Sequence, residues 1–317
     1  MEPILRAQNL RKEFPAKNGK KLQAVAGVDL ELFPGQTLAL VGESGCGKST
    51  LGRLLLNLWE PTEGAVYLEG TKLTGLSRRA FAPYRRQMQL IFQDPYSSLD
   101  PRMKVLELIA EPLRAYHVCR TQSEYRLRVS ALLKAVELPP EAMDRYAHQF
   151  SGGQRQRIGI ARALALEPRI LVCDEPVSAL DVSVQSQVLN LLRRLQKERG
   201  LTMLFISHDL SVVRFMADRV CVMFLGKICE IAPAASVYAA PLHPYTKFLL
   251  NAIPKADPRA RNESVELLTG EAPSPLDPPA GCRFHPRCPY ATDRCRTQEP
   301  ELRPIGQEHL VACHYAK

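Results

Sequence analysis

Residues Gly42 to Thr50, Gly-Glu-Ser-Gly-Cys-Gly-Lys-Ser-Thr, fit the spacing G-x-x-x-x-G-K-[ST]. The chemistry of that spacing is phosphate binding. A strand that turns sharply into a helix through glycines aims backbone N–H groups, and the positive end of the helix dipole, at one point. Lys48 would reach the β- and γ-phosphates of a nucleotide, and the Ser49 hydroxyl would be a ligand of Mg²⁺. The elements needed to hold such a loop are present on both sides. Thr37-Leu-Ala-Leu-Val41 reads as a short buried strand, and the stretch from Ser49 carries Leu51, Leu54, Leu55 and Leu58 at helical spacing. A surface Gly/Ser loop of the same composition would lack that flanking pattern.

Three further groups bear on the same chemistry. Residues 170–175, Ile-Leu-Val-Cys-Asp-Glu, read as a buried strand ending in two acids. Asp174 there can serve the Mg²⁺ shell and Glu175 can orient or deprotonate a water. Met203-Leu-Phe-Ile206 reads as another buried strand, ending at Ser207-His208-Asp209. A histidine at the C-terminal end of a parallel strand lies on the ligand-binding edge of such sheets, where His208 would meet the γ-phosphate or be structural. Finally, Phe150-Ser-Gly-Gly-Gln154 precedes the helix-forming run Arg155 to Arg162, giving a second anion-binding helix N-terminus in one chain. One phosphate loop has no use for both. A dimer, in which each loop's nucleotide is capped by the other chain's Ser-Gly-Gly, resolves the excess.

With these elements in this order, residues 1 to about 240 resemble the ATP-binding subunits of ATP-binding cassette transporters. The resemblance rests on Phe14, the Gly42–Ser49 loop, Gln93 in Ile-Phe-Gln-Asp-Pro, the Phe-Ser-Gly-Gly-Gln signature (with Phe150 where Leu is usual), the Asp174-Glu175 strand, and Ser178–Asp181 followed by His208. It implies an α/β fold of the P-loop NTPase type: a RecA-like parallel sheet core, an antiparallel β subdomain and a helical subdomain at about 95–165. It also implies roles. Phe14 would stack on adenine, and Gly42, Ser44, Gly45, Gly47, Lys48, Ser49 and Thr50 would hold the phosphates of ATP, with Cys46 contributing backbone only. Ser49, Gln93 and, through water, Asp174 would position Mg²⁺. Glu175 would be the general base and His208 the γ-phosphate switch. Ser151, Gly152, Gly153 and Gln154 would complete a partner's site, and Asp181 would couple the two sites.

Composition narrows the class. No stretch of 18 apolar residues and no signal-peptide pattern follows Met1, so the chain is expected neither to span nor to cross a membrane by itself. A net charge of +9 is carried by scattered Lys and Arg without a run of five, which reads as a solvated surface and not as a nucleic-acid site. Cassette ATPases of DNA repair carry long coiled coils or zinc inserts between loop and signature; here about 100 ordinary residues intervene. Translation-type cassette proteins need two cassettes, and this chain has one.

Periodicity gives the coarse layout. Ile4 to Tyr67 reads as short strands separated by turns at Lys17–Lys20 and Pro34-Gly35, an antiparallel β subdomain. Residues 101–165 carry helix-compatible patterns. Residues 184–199 place Val184, Val188, Leu191, Leu192 and Leu195 on one face as core, with Arg193, Arg194, Lys197 and Arg199 largely opposite. Strands alternating with helices imply a largely parallel sheet.

The composition shifts near residue 240. His-Pro-Tyr-Thr at 243–246 precedes an apolar helical segment, and ten of the 25 prolines lie between Pro254 and Pro304. This resembles the C-terminal extension of the oligopeptide and dipeptide permease branch, most closely its F-type ATP-binding subunits, which pair with a related D-type subunit. The domains expected are therefore 1–240, the cassette, and 241–317, the extension. The branch implies an importer at the cytoplasmic face of the bacterial inner membrane, bound peripherally to two transmembrane permease subunits and served by an extracytoplasmic substrate-binding protein. Nickel, glutathione and metallophore importers share the extension and are the alternatives to peptide.

The extension adds a second chemical feature. Cys282, Cys288, Cys295 and Cys313 are spaced C-x₅-C-x₆-C-x₁₇-C, while Cys119, Cys173, Cys221, Cys229 and Cys46 are dispersed. Disulfides are not expected in a cytosolic chain. Four grouped thiols with little apolar material around them suit a metal that replaces a core. Zinc sites draw cysteines in C-x₂₋₄-C pairs, absent here, whereas wider spacings suit a [4Fe–4S] cluster; zinc and free thiols are the alternatives, and His285, His309 or His314 stand near enough to substitute for a ligand. No nucleotide motif lies in this segment, so it is expected to be structural or docking in role and to leave the affinity of the phosphate loop for ATP unchanged.

Overall fold

The structure is a computed structural model that describes residues 2–16, 19–94, 96–253 and 273–317. The chain folds as two compact units, one of Met1–Leu32, Gln36–Gly75 and Ser207–Lys317, the other of Phe33–Gly35 and Leu76–Ile206. The boundary expected at 240/241 falls inside the first. In chain order the elements are β1 (Leu5–Pro15), β2 (Lys21–Leu32), β3 (Thr37–Val41), α1 (Lys48–Leu55), β4 (Glu63–Leu68), β5 (Thr71–Lys72), α2 (Arg78–Gln87), β6 (Met88–Ile91), α3 (Val105–Ala115), α4 (Gln122–Ala135) and α5 (Gly152–Leu164). They continue as β7 (Ile170–Asp174), α6 (Val182–Arg199), β8 (Thr202–Ile206), α7 (Leu210–Met216), β9 (Arg219–Phe224), β10 (Lys227–Pro233), α8 (Ala234–Ala239), α9 (Pro244–Asn251), α10 (Asp293–Thr297), β11 (Arg303–Pro304) and β12 (Leu310–Val311).

The first unit holds the antiparallel sheet β2-β1-β4-β5. Its first two strands are 11 and 12 residues long, not the short strands expected. Register shifts along β1–β2, and Gly27 at φ +79° within β2, break the alternation that would have marked them as continuous. The same unit pairs β3 with β9 in parallel, β9 with β10 antiparallel, and β10 with β12, so the end of the chain adds strands beside β10. β3 is buried at every residue and β9 at all but its first, as strands covered on both faces must be. Around them packs one apolar cluster, drawn from β3 (Ala39, Val41), β9 (Val220, Val222, Phe224), Tyr245 and Phe284.

The second unit is built on the parallel run β6-β7-β8, in register Met88↔Ile170 and Ile170↔Thr202. Where residues 101–165 carry helix-compatible patterns, it has α3, α4 and α5. α3 buries Leu106, Ile109 and Leu113, and α4 buries Val129, Leu132 and Leu133, the i, i+3, i+4 spacing of packed helix faces.

Two side chains depart from the sequence pattern. α1 ends at Leu55, and Leu58, beyond it, is 47% exposed, so helical spacing continued past the point where the backbone turns. On α6 the core residues are Val188, Leu189, Leu191, Leu192 and Leu195; Val184, expected with them, is only half-buried and meets Gly153 instead. At the expected 17–20 turn, Lys17 and Asn18 lie outside the described residues, while the Ala16 N–H donates to the Lys20 carbonyl at 2.9 Å. Pro254 and Pro258 also lie outside them. Among the described residues no helix is long and apolar enough to cross a membrane.

Candidate functional site

In the first unit β3 delivers the chain to the phosphate loop and α1 carries it away. Gly42, Gly45 and Gly47 all have positive φ, at 153°, 77° and 105°. A Cβ on Gly42 would stand 2.1 Å from the Met223 carbonyl oxygen, and one on Gly47 would stand 2.0 Å from that of Ala24. Both obstacles are backbone of neighbouring strands, so only glycine fits. The loop is thus shaped by β2 and β9 as well as by its own sequence. Lys48 is buried, and its ammonium donates to the carbonyls of Gly42 and Glu43, each at 2.8 Å. The buried Cys46 Sγ lies 3.8 Å from Lys48 Nζ, and burial raises its pKa while Lys48 lowers it. Ser44 and Gly45 are exposed at the mouth, with Ser49 and Thr50 half-buried on the first turn of α1.

Two expected partners of this loop belong to the same unit. The Ser207 N–H donates to the Leu40 carbonyl at 3.2 Å, which sets Ser207-His208 beside the end of β3; His208 is exposed. Asp209 caps α7, accepting from Ser211 and Val212. Phe14 is half-buried on β1, edge-on to Trp59 at 5.3 Å, with the Lys12 ammonium 5.3 Å from its ring centre.

The second unit holds the remaining nucleotide residues. Asp174 ends β7, buried, and Glu175 follows at φ +45°, a left-handed conformation costly for a non-glycine residue. Surrounding bonds fix it there. The Glu175 N–H donates to the Ile206 carbonyl at 3.1 Å, and Ser178 Oγ donates to the Glu175 carbonyl at 3.1 Å. The Gln93 side-chain amide donates to the Glu175 carboxylate at 3.0 Å, so these two expected site residues meet.

Ser151, Gly152, Gly153 and Gln154 begin α5 with a capping box: the Gln154 N–H donates to Ser151 Oγ at 3.4 Å, and the Ser151 N–H to Gln154 Oε1 at 3.1 Å. Neither glycine has positive φ. Gly153 is required for another reason, since a Cβ there would stand 2.3 Å from Val184 Cγ1. Asp181 is the exposed N-cap of α6.

The four extension cysteines come together. Cys282, Cys288, Cys295 and Cys313 line one cavity of about 320 Å³, shared with Tyr290 and His314. Burial pushes the Cys282 thiol up to about 11 and raises that of Cys288. Among the described residues, however, no group of three or more His, Cys, Asp or Glu is placed to hold a metal ion, so the expected [4Fe–4S] site is not supported by the arrangement of these side chains. His309, whose Nε2 lies 2.7 Å from the buried Glu230 carboxylate, does not line this cavity. His285 Nδ1 lies 2.9 Å from the Cys282 carbonyl, and His314 Nε2 3.0 Å from that of Gln298.

Sequence reasoning missed the residues that tie the extension down. Glu230 accepts from the N–H groups of Leu242 and His243 as well as facing His309. Phe284 packs among Tyr245, Phe224 and His243 at centroid distances of 5.3, 5.4 and 5.8 Å. Arg287 Nη1 donates to both carboxylate oxygens of Glu43 in the phosphate loop at 2.9 Å. The Glu43 N–H donates to the Tyr245 hydroxyl at 2.9 Å. A segment expected to stand apart from the nucleotide loop touches it directly. The His-Pro-Tyr-Thr string is the available signal, but the partner of its tyrosine lies 202 residues away.

Strand, glycine loop and helix in one unit, with an acid-terminated strand and a Ser-Gly-Gly helix start in the other, define a P-loop nucleotide-binding cassette. The ABC transporter family profile matches residues 25–178, and that of the oligopeptide/dipeptide transporter C-terminal region matches residues 229–295. The chain belongs to the ATP-binding subunits of ABC transporters, in the branch that carries the oligopeptide/dipeptide C-terminal region. It is 52% identical over 313 residues, 98% of this chain and 95% of the other, to a Bacillus subtilis (strain 168) protein called "Putative oligopeptide transport ATP-binding protein YkfD". It is 49% identical to the oligopeptide transport ATP-binding protein OppF of Salmonella typhimurium, over 98% of this chain and 95% of that one. Among solved structures, the dimeric ATP-binding cassette MJ0796, in a post-hydrolysis state bound to ADP and phosphate, matches with a TM-score of 0.66 at 31% identity, over 73% of this chain and 98% of that one.

Proposed function

We propose that this chain is the ATP-hydrolysing subunit of an importer that moves di- or oligopeptides across the cytoplasmic membrane. The observation that carries the reading is likeness along almost the whole chain, extension included, to an oligopeptide transport ATP-binding protein. The cassette, 1–240, would do the hydrolysis. The extension, 241–317, would mark the importer branch.

In this reading the N–H groups of the Gly42–Thr50 loop and the Lys48 ammonium hold the phosphates, and Phe14 stacks on adenine. The oxygen donors Ser49 and Gln93, with Asp174 acting through water, suit a hard cation, and Mg²⁺ when bound would neutralise charge on the β- and γ-oxygens. Glu175 takes a proton from the attacking water, with Gln93 as the group that orients its carboxylate. His208 contacts the γ-phosphate, and Asp181 couples the two sites. The Ser151–Gln154 turn serves the nucleotide held by a second, related cassette, as a heterodimer. The other partners are two membrane permease subunits and, indirectly, an extracytoplasmic substrate-binding protein, which place the chain peripherally at the cytoplasmic face.

The Cys282, Cys288, Cys295 and Cys313 cavity takes a [4Fe–4S] cluster in this reading, supported by four soft donors around a space larger than one ion needs. Iron and acid-labile sulfide on anaerobically purified protein check it; stoichiometric zinc, or neither metal, would replace it. The function itself is tested by reconstituting the full transporter in vesicles. Hydrolysis stimulated by peptide-loaded binding protein is expected. Stimulation by nickel, glutathione or a metallophore and not by peptide would reassign the cargo.

A further inference from the structure

The extension grips the phosphate loop at a single residue, by two independent contacts. Glu43 is the second residue of the loop. Its carboxylate takes both of its bonds from Arg287 Nη1, and its N–H is bonded to the Tyr245 hydroxyl. Its carbonyl is in turn one of the two carbonyl acceptors of the Lys48 ammonium. Glu43 therefore sits between the extension and the lysine that meets the phosphates, and its backbone position sets one of the lysine's anchors.

Arg287 is built to hold that position. Its side chain is 9% exposed against 30% for Glu43, and its buried Nε has no hydrogen-bond partner among the described residues. Glu43 is its ion-pair partner. Arg287 stands on a short 3₁₀ turn, His285–Arg287, closed by bonds from His285 N to the Cys282 carbonyl (2.9 Å) and from Cys288 N to the His285 carbonyl (3.3 Å). Two of the cavity cysteines thus bracket the arginine. Beneath the turn, Phe284 is 2% exposed and packs on the Tyr245 ring. Arginine and tyrosine reach Glu43 from one packed block, and the loop cannot shift without breaking both contacts.

We infer that Arg287 and Tyr245 are positioning residues for ATP binding, which act through Glu43 and make the cysteine-bearing extension part of the phosphate-binding apparatus. The inference rests on the nucleotide-site reading of Gly42–Thr50. Perturbing the Cys282–Cys288 turn then weakens ATP binding although no cysteine touches nucleotide.

The test is Mg-ATP binding to the full-length chain by calorimetry, with the Michaelis constant measured in the assembled transporter. Wild type binding ATP while Lys48→Ala does not is the control for the underlying reading; failure there would remove that reading and leave the present one without its site. With the control met, Arg287→Met is expected to weaken ATP binding about tenfold, the loss typical of one buried charge-assisted contact. KM should rise to match, with kcat within about twofold, a split that a merely structural role would not give. Because a single Nη carries both bonds, Arg287→Lys should recover most of the affinity. Glu43→Gln keeps shape and supplies the test if Arg287→Met does not fold; it should show the same loss, and the double variant should be no worse than either single one. ATP affinity unchanged in a folded Arg287→Met or Glu43→Gln, or fully additive losses in the double variant, would overturn the inference.

Discussion

The molecule has two glycine-bearing helix starts suited to anions, and they are held in different ways. The phosphate loop is dictated from outside. Gly42 and Gly47 have positive φ, the Met223 and Ala24 carbonyls occupy the space a side chain there would need, and the extension bonds to Glu43. The signature turn is dictated from within. Ser151 and Gln154 cap their own helix, the glycines have ordinary helical φ, and among the described residues a Cβ on Gly153 would meet a half-buried valine side chain and no backbone. A loop moulded by backbone is a preformed pocket. A self-capped, half-exposed helix start is a surface waiting to be offered to something else. That contrast is what a site shared between two chains requires.

The largest effect expected separates chemistry from binding. Glu175→Gln should lower steady-state hydrolysis in the assembled transporter by about a hundredfold or more, while ATP binding persists. Turnover within a few-fold of wild type would remove Glu175 as the base.

Next comes the difference in how the two glycine turns are held. Gly47→Ala should abolish ATP binding, because its obstacle is the Ala24 backbone and no side-chain change can clear it. Gly153→Ala should cost about 1–3 kcal/mol of stability from overpacking and be largely rescued by Val184→Ala, which removes the clashing methyl. ATP binding by Gly47→Ala and thermal unfolding of Gly153→Ala with and without Val184→Ala check this; failure of Val184→Ala to restore stability would break the comparison.

A smaller effect concerns the segment that grips the loop. Burial lowers the pKa of His243 to about 4, against the opposing pull of Glu230, so below its ordinary value the unfolded chain takes up a proton that the folded one refuses. The associated stability is present above about pH 6.5 and is lost as pH falls towards 4, about 2 kcal/mol between pH 7 and pH 5. Its Nδ1 accepts the Tyr245 N–H at the start of α9. His243→Asn, which keeps a capping acceptor, should flatten this dependence in denaturant titrations at the two pH values.

What could be read from the sequence follows the range of the forces involved. The strand Thr37–Val41, the loop, the 170–174 strand and the capped start of α5 are local, set by apolar runs, glycines and a Ser-x-x-Gln pair, and they stand where those patterns put them. Leu58 shows the limit of periodicity, which does not register where a helix stops. The two-residue strands β11 and β12 carry no period and exist because β10 offers an edge. The Glu43–Arg287 pair spans 244 residues and leaves no local trace at either end. The extension was therefore legible in its chemistry, four thiols and an aromatic string, and illegible in its position against the nucleotide loop.

The central claim is that the two glycine turns of one chain serve two different nucleotides. Ser151→Arg tests it most directly, with Mg-ATP binding measured on the isolated full-length chain and hydrolysis measured on the assembled transporter. The account expects the isolated chain to bind ATP within about twofold of wild type, since its own phosphate loop is untouched, while hydrolysis in the assembly falls by about tenfold or more. If Ser151→Arg instead weakened ATP binding by the isolated chain as severely as Lys48→Ala, both turns would serve one nucleotide, and the shared-site account would be wrong.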